Sequence, residues 1–217
     1  MTCNLTTITP DIKMFFNYRR VRNINRCNNF NRNKNEDVAQ HSFFTSLLAM
    51  IITKEFFRNY PHMENQVSMS VVLEKALTHD LEEAITSDIP SNVKHISPEF
   101  NDVIQEVICR MMTECYEDTS DTFHDILEIS INSKKGIEGS IVSLADILEL
   151  SIYCCEEVCA GNFFMKGLLI KCIRLVENSN FYKLYNLPFV NNLVESIKML
   201  SAKNGCSIAA IQELYHL

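Results

Sequence analysis

The sequence predicts an all-α protein, and three observations carry that expectation. Only 5 Gly and 5 Pro occur in 217 residues, too few for the frequent turns of a β-sandwich. Hydrophobic residues make up 47% of the chain, enough to bury a sizeable core, and they recur at helical spacing over long stretches. Capping pairs such as Ser97-Pro98 and Gly161-Asn162 punctuate those stretches. With no internal repeat, no low-complexity tract and no clear second segment, residues 1–217 read as a single domain, a bundle of roughly eight helices.

Residues 1–11 are expected to form a loose start, with a short helix from Ile12 to about Arg22. The Asn-rich stretch Asn23–Asn35 reads as loop, because Asn favours turns and caps over helix interiors. Asn35 is expected to cap a long helix through about Arg58 whose Phe44, Leu47, Leu48, Ile51 and Ile52 face inward. His41 then points to the core as well. A second helix is expected over Ser70–Thr86, with Val72, Ala76, His79, Asp80 and Glu83 on one stripe. Asp88-Ile89-Pro90 ends it. A third begins at Ser97-Pro98 and runs to about Tyr116; Ser120 or Asp121 starts a short fourth. From Ile141 to about Cys159 the chain is a strongly apolar helix, closed by Gly161-Asn162. Two or three further helices are expected near 163–178, 189–203 and 207–216, with Pro188 opening one of them after a turn.

The nine Cys are odd in number and form no CxxC pair, and no apolar N-terminal leader is visible. The expectation is free thiols in a reducing cytoplasm. Cys154, Cys155 and Cys159 read as small core residues of a helix rather than as a thiolate site. No apolar run approaches the roughly 18 residues of a membrane span. Residues 12–35 hold seven basic residues and no acid against a whole-chain net charge of −7, so the remainder carries −14. Such a basic segment suits a small anion. Its aromatics would permit base stacking, but no known single-strand module is present, so a nucleic-acid partner is not expected.

Four residues stand out as chemistry: His41, the pair His79-Asp80, and Asp146. Each falls within a predicted helix. Polar groups on a stripe that should be core are costly unless paired or bound to metal. Two imidazoles and two carboxylates suit Mn, Co, Fe, Zn or Mg, and four ligands leave positions open for water and substrate. Facing helices of a bundle are where such sites are built.

The flanking words sharpen this. They are Glu36-Asp37-Val38-Ala39-Gln40-His41-Ser42, then Thr78-His79-Asp80-Leu81-Glu82-Glu83 running on to Asp88-Ile89-Pro90, then Ala145-Asp146-Ile147-Leu148-Glu149. From about Arg26 to Asn162 the chain resembles the HD-domain phosphohydrolases, and within them the bacterial 5′-deoxynucleotidase (YfbR-like) branch with its phage relatives. The resemblance implies an all-α HD-type domain and an enzyme with one divalent ion (Co, Mn, Mg or Zn) that removes the 5′-phosphate of deoxynucleoside monophosphates. It implies His41, His79, Asp80 and Asp146 as ligands, Glu83 as catalytic carboxylate, and Arg26, Asp88 and Lys94 as substrate contacts. It also implies the cytosol of a bacterium or a phage-infected host, and a homodimer or higher homo-oligomer, with the apolar C-terminal helices either its surface or ordinary core. Cys27 stands where the family carries Trp beside the pocket arginine, which leaves sugar and base preference open. Two alternatives remain: cleavage of tripolyphosphate from a deoxynucleoside triphosphate, as in some phage relatives, and a non-catalytic nucleotide-binding regulator.

Overall fold

The computed structural model describes residues 8–90, 93 and 96–205. The helix expected near 207–216, and Lys94, lie outside them, as does most of the expected loose start. Helix α1 (Pro10–Tyr18) begins earlier than expected because Thr9 caps it and Pro10 occupies its first position. After Tyr18 the chain tightens into a 3₁₀ turn, Arg19–Asn23. The following loop closes on itself at an antiparallel bridge between Asn25 and Asp37, with Arg26 N donating to Glu36 O at 2.9 Å and Val38 N to Ile24 O at 3.0 Å. Buried Glu157 pins the same loop from a distant helix. Its carboxylate accepts from Asn33 N at 2.7 Å, Lys34 N at 2.9 Å and Asn162 Nδ2 at 2.6 Å. Arg26 and Glu36 are thereby held side by side at the entrance to the next helix.

That helix, α2 (Val38–Asn59), is capped by Asp37 and not by Asn35. Asp37 accepts from Gln40 N at 2.8 Å while Gln40 Oε1 accepts from Asp37 N at 3.1 Å, a reciprocal box that Asn35 is too early to form. Its buried face carries Val38, His41, Thr45, Leu48, Ala49, Ile52 and Phe56. Phe44 and Leu47, expected inside, are 49% and 39% exposed. This helix is apolar on more than one side, and the packing of its neighbours selects the His41 side.

The single helix expected over Ser70–Thr86 is broken. Helix α3 (Met69–Thr78) stops before His79, a turn covers 79–82, and α4 (Glu83–Thr86) is one turn long. Bonds there shorten to the three-residue spacing: Leu81 N to Thr78 O, Glu83 N to Asp80 O and Ala84 N to Leu81 O, each 3.1 Å. The His79 ring also takes the Ala76 carbonyl at 2.8 Å, a group of the last α-turn. Ser87, at φ 61°, sits in the left-handed region and ends α4.

Helices α5 (Pro98–Tyr116) and α6 (Asp121–Ile131) follow with Ser97 and Ser120 as N-caps, as expected. The longest helix, α7 (Gly136–Cys159), starts five residues before Ile141. A short 3₁₀ turn (Phe163–Met165) leads to α8 (Lys166–Asn178), a one-turn α9 (Asn180–Leu184) and α10 (Pro188–Lys203). The main core joins α2, α3, α7, α8 and α10 through residues such as Ile52, Phe56, Val72, Leu144, Leu148, Ile173 and Val194. A smaller cluster joins α1, α5 and α6 through Met14, Ile108, Met112, Tyr116 and Leu127. Cys154, Cys155 and Cys172 are buried free thiols. Among the described residues no helix is long and apolar enough to cross a membrane.

Replacing Asp37 with Ala should cost about 1 kcal/mol of stability in urea unfolding, whereas Asn35→Ala should be close to neutral. Equal losses would show that the box is not what starts α2.

Candidate metal centre

Two helices and one turn converge on this site. His41 projects from the second turn of α2 and is 0% exposed. His79 and Asp80 lie in the turn after α3, and Asp146 lies in the middle of α7. His41 Nε2 is 3.1 Å from His79 Nε2 and 3.1 Å from Asp146 Oδ1. Asp80 Oδ2 is 3.2 Å from His79 Nε2 and 3.5 Å from His41 Nε2, and Asp146 Oδ1 is 3.9 Å from His79 Nε2. The two imidazoles thus each approach both carboxylates, and His41, His79 and Asp146 form the group whose ligand atoms all lie within 4.8 Å of one another.

The hydrogen bonds of the far ring nitrogens fix what faces inward. His79 Nδ1 donates to the Ala76 carbonyl at 2.8 Å, and His41 Nδ1 donates to Glu149 Oε2 at 2.5 Å. In the neutral rings both Nε2 atoms then carry lone pairs and confront each other beside two carboxylate oxygens. Four electron-rich atoms this close repel unless a cation lies between them. A proton is one such cation and a metal ion is another. The spacing fits a metal: bonds of about 2.1 Å put neighbouring ligands roughly 3.0 Å apart at right angles and roughly 3.4 Å apart at the tetrahedral angle. Histidine ligands whose other nitrogen donates to a carboxylate or carbonyl are the usual arrangement.

Electrostatics point the same way. Burial and Arg26 would push the His41 pKa down, yet the carboxylates of Asp146 and Glu149 carry it up to about 9. Burial would raise Asp80, but the His79 ring beside it holds the carboxyl below its ordinary range. Asp146 is likewise held well below its ordinary value despite burial, chiefly by the Lys134 ammonium and the two imidazoles.

A second layer lies behind the first. Arg26 Nη1 contacts Glu36 Oε2 at 3.2 Å and Glu149 Oε2 at 3.3 Å, so a chain runs Glu36–Arg26–Glu149–His41. Burial works against the charge of Arg26, but Asp80, Asp146, Glu149 and Glu36 raise its pKa above the ordinary value. Glu36 is pushed up to about 7, first by burial and then by Glu149, against the pull of Arg26. The family resemblance implies Arg26 as a substrate contact. The structure instead spends Nη1 on two carboxylates. Glu83 is buried in the first turn of α4. Cys27 has left-handed backbone, φ 54°, and a half-buried thiol pushed up to about 11 by burial and by charges that include Asp88. Asp88 is half-buried.

Three residues of this assembly were missed as site residues: Glu149, Glu36 and Lys134. Lys134 Nζ is 2.5 Å from Asp146 Oδ2. Glu149 left one signal, a second acid three residues after Asp146 in an otherwise apolar helix, which places both on neighbouring faces. Glu36 left only its place at the head of the first motif word, and Lys134 left no signal.

Comparison with known proteins gives the family and the fold. The family described as 5′-deoxynucleotidase YfbR-like matches residues 13–193. A 5′-deoxynucleotidase of Photorhabdus laumondii is 31% identical over 160 residues, 68% of this chain and 75% of that protein. An HD-domain phosphohydrolase from Listeria innocua superposes with a TM-score of 0.67 at 22% identity, covering 89% of this chain and 97% of the other. The cyanophage S-2L HD phosphohydrolase DatZ, bound to dA and one catalytic Zn²⁺, superposes with a TM-score of 0.58 at 18% identity, covering 87% and 96%. At those identities the two structures speak for the fold.

The raised His41 pKa has a consequence for the protein freed of metal. A group whose pKa is higher folded than unfolded contributes stability below its unfolded value, and loses it as pH rises through the folded one. With 6.5 as the ordinary value and about 9 in the fold, the melting temperature in chelator should fall across that window. Saturating divalent ion should flatten the fall, since the ion then occupies the ring nitrogen. A melting temperature that stays level or rises in chelator would contradict this.

Proposed function

The chain belongs to the YfbR-like family of 5′-deoxynucleotidases, and we propose that it removes the 5′-phosphate from deoxynucleoside monophosphates, using one divalent ion held by His41, His79, Asp80 and Asp146. The observation that carries this reading is the pair of facing imidazole nitrogens, 3.1 Å apart, with both outer N–H groups already committed. Imidazole and carboxylate donors together suit Co, Mn, Mg or Zn. When bound, such an ion supplies Lewis acidity toward a phosphoryl oxygen and lowers the pKa of water.

The chain's own groups do the rest. The Ala76 carbonyl and Glu149 lock the two rings, so that both present Nε2 to the ion without reorganising during turnover. Glu83, one short turn beyond Asp80, is the carboxylate that takes or orients the proton of the attacking water. In-line attack at phosphorus then expels the 5′-oxygen of the nucleoside. Part of the Arg26 fork is spent on Glu36 and Glu149; what is left of it would receive the phosphate. Asp88 and Cys27, within electrostatic reach of each other, would line the nucleoside side of the pocket, and Lys94 would add a phosphate contact. A relative of this fold bound to dA supports a deoxynucleoside in that place. The expected homodimer would form on the exposed apolar residues of α10, Met199 and Leu200.

A second reading, release of tripolyphosphate from a deoxynucleoside triphosphate, is favoured by one observation. The 3₁₀ turn with exposed Arg19, Arg20 and Arg22 packs against α2 and α4, which carry His41 and Glu83. Additional positive charge there suits a longer phosphate chain.

Deoxynucleoside mono- and triphosphates and their ribose counterparts, each offered with Mn, Co and Mg, separate the two: orthophosphate from monophosphates supports the first, tripolyphosphate the second. Asp80→Ala should lose metal binding and phosphate release together. Glu83→Gln should keep the metal and lose at least about a hundredfold in turnover. Turnover by Glu83→Gln at the wild-type rate would remove Glu83 from the mechanism.

A further inference from the structure

Asp146 divides its two oxygens between different partners. Oδ1 lies 3.1 Å from His41 Nε2, inside the ligand cluster, while Oδ2 lies 2.5 Å from the ammonium of Lys134. Lys134 is 39% exposed along its side chain, so it reaches the site from the rim rather than from the core.

Its placement is built. The turn between α6 and α7 lies so close to α7 that a Cβ on Gly139 would sit 2.3 Å from the Lys134 carbonyl carbon and 2.6 Å from its oxygen. Only glycine permits that approach. Ser130 Oγ donates to the Thr78 carbonyl at 2.9 Å, and Lys75 Nζ donates to the Lys135 carbonyl at 2.5 Å. Ser133 is buried. The turn is thus tied both to α7, which carries Asp146, and to the end of α3, just before His79.

We propose that Lys134 is a positioning residue that restricts Asp146 to binding the metal ion through one oxygen. The inference rests on the metal-dependent reading above and adds to it what keeps the site open. A free carboxylate can bind a cation through one oxygen or both, and two-oxygen binding fills an additional coordination position. With Oδ2 engaged by the ammonium, only Oδ1 is available, and that position is left for water or substrate. The ammonium also opposes the ion's charge, so the site holds its metal less tightly than its four ligands alone would. Removing Lys134 should therefore tighten metal binding and slow turnover at once. A residue that merely supported the fold would, when lost, weaken both.

The test is equilibrium titration of the metal-free protein with Co²⁺, followed by its visible absorption, for wild type, Lys134→Met, Lys134→Arg and Gly139→Ala. Lys134→Met should bind Co²⁺ about tenfold more tightly, with an altered absorption band and slower phosphate release. Lys134→Arg, which keeps a charged donor, should restore the wild-type spectrum. Gly139→Ala, which forces the turn away, should move in the direction of Lys134→Met by a smaller amount. Unchanged or weaker Co²⁺ binding by Lys134→Met would overturn the proposal. Tighter binding with an unchanged spectrum would leave only charge repulsion and overturn the one-oxygen assignment. A wild type that binds none of Co²⁺, Mn²⁺, Mg²⁺ and Zn²⁺ would defeat the metal-dependent reading itself, whereas binding indifferent to Lys134 would defeat this inference alone.

Discussion

Two histidine rings face each other across 3.1 Å with their outer N–H groups already given away, and the rest of the site is arranged around that confrontation. Burying two lone pairs nose to nose is unfavourable unless positive charge fills the gap. Each supporting feature sustains the arrangement. The Asp37–Gln40 box starts α2 so that His41 falls on its inner face. The break after Thr78 turns His79 and Asp80 out of a helix in which neighbours would diverge by about 100°. The three-residue spacing on α7 lets one helix supply both Asp146 and Glu149, the first beside Nε2 of His41 and the second on its Nδ1.

Charge is graded outward from that point. Asp80 and Asp146 stand beside the imidazoles, Glu149 and Glu36 behind them, and two cations, Arg26 and Lys134, pair with acids of the set. Arg26, its side chain 13% exposed, spans the rear pair of acids, while Lys134, more exposed, stands on Asp146. An anionic phosphate approaching so many carboxylates would be repelled without them. Arg26 thus serves first as a countercharge that keeps Glu149 in place beneath His41, and the exposed arginines of the 3₁₀ turn extend the positive side toward solvent.

The all-α class, the α5 and α6 starts and the four converging residues were legible because each depends on local pattern: capping chemistry, helical phase and motif words. The inward phase of α2 was only half legible. His41 and Leu48 face the core, but Phe44 and Leu47 do not, since an all-round apolar helix does not declare its buried side. The break at His79 was hidden because Leu, Glu and Ala around it favour a continuous helix. The second layer was hidden for a different reason. Arg26 meets Glu149 across 123 residues of chain, and Lys134 meets Asp146 only because Gly139 lacks a side chain. No local pattern encodes such meetings.

The central claim is that a metal ion binds at the facing nitrogens of His41 and His79 and displaces the proton that Asp146 and Glu149 hold on His41 in the free protein. Calorimetric titration of metal-free protein with Co²⁺ at about pH 8, in two buffers of different ionisation enthalpy, measures the exchange directly. The account predicts one ion per chain and about one proton released for each ion bound, because His41 is still protonated there when free of metal. Binding with no proton release, or binding that persists unchanged in the His41→Gln variant, would contradict it.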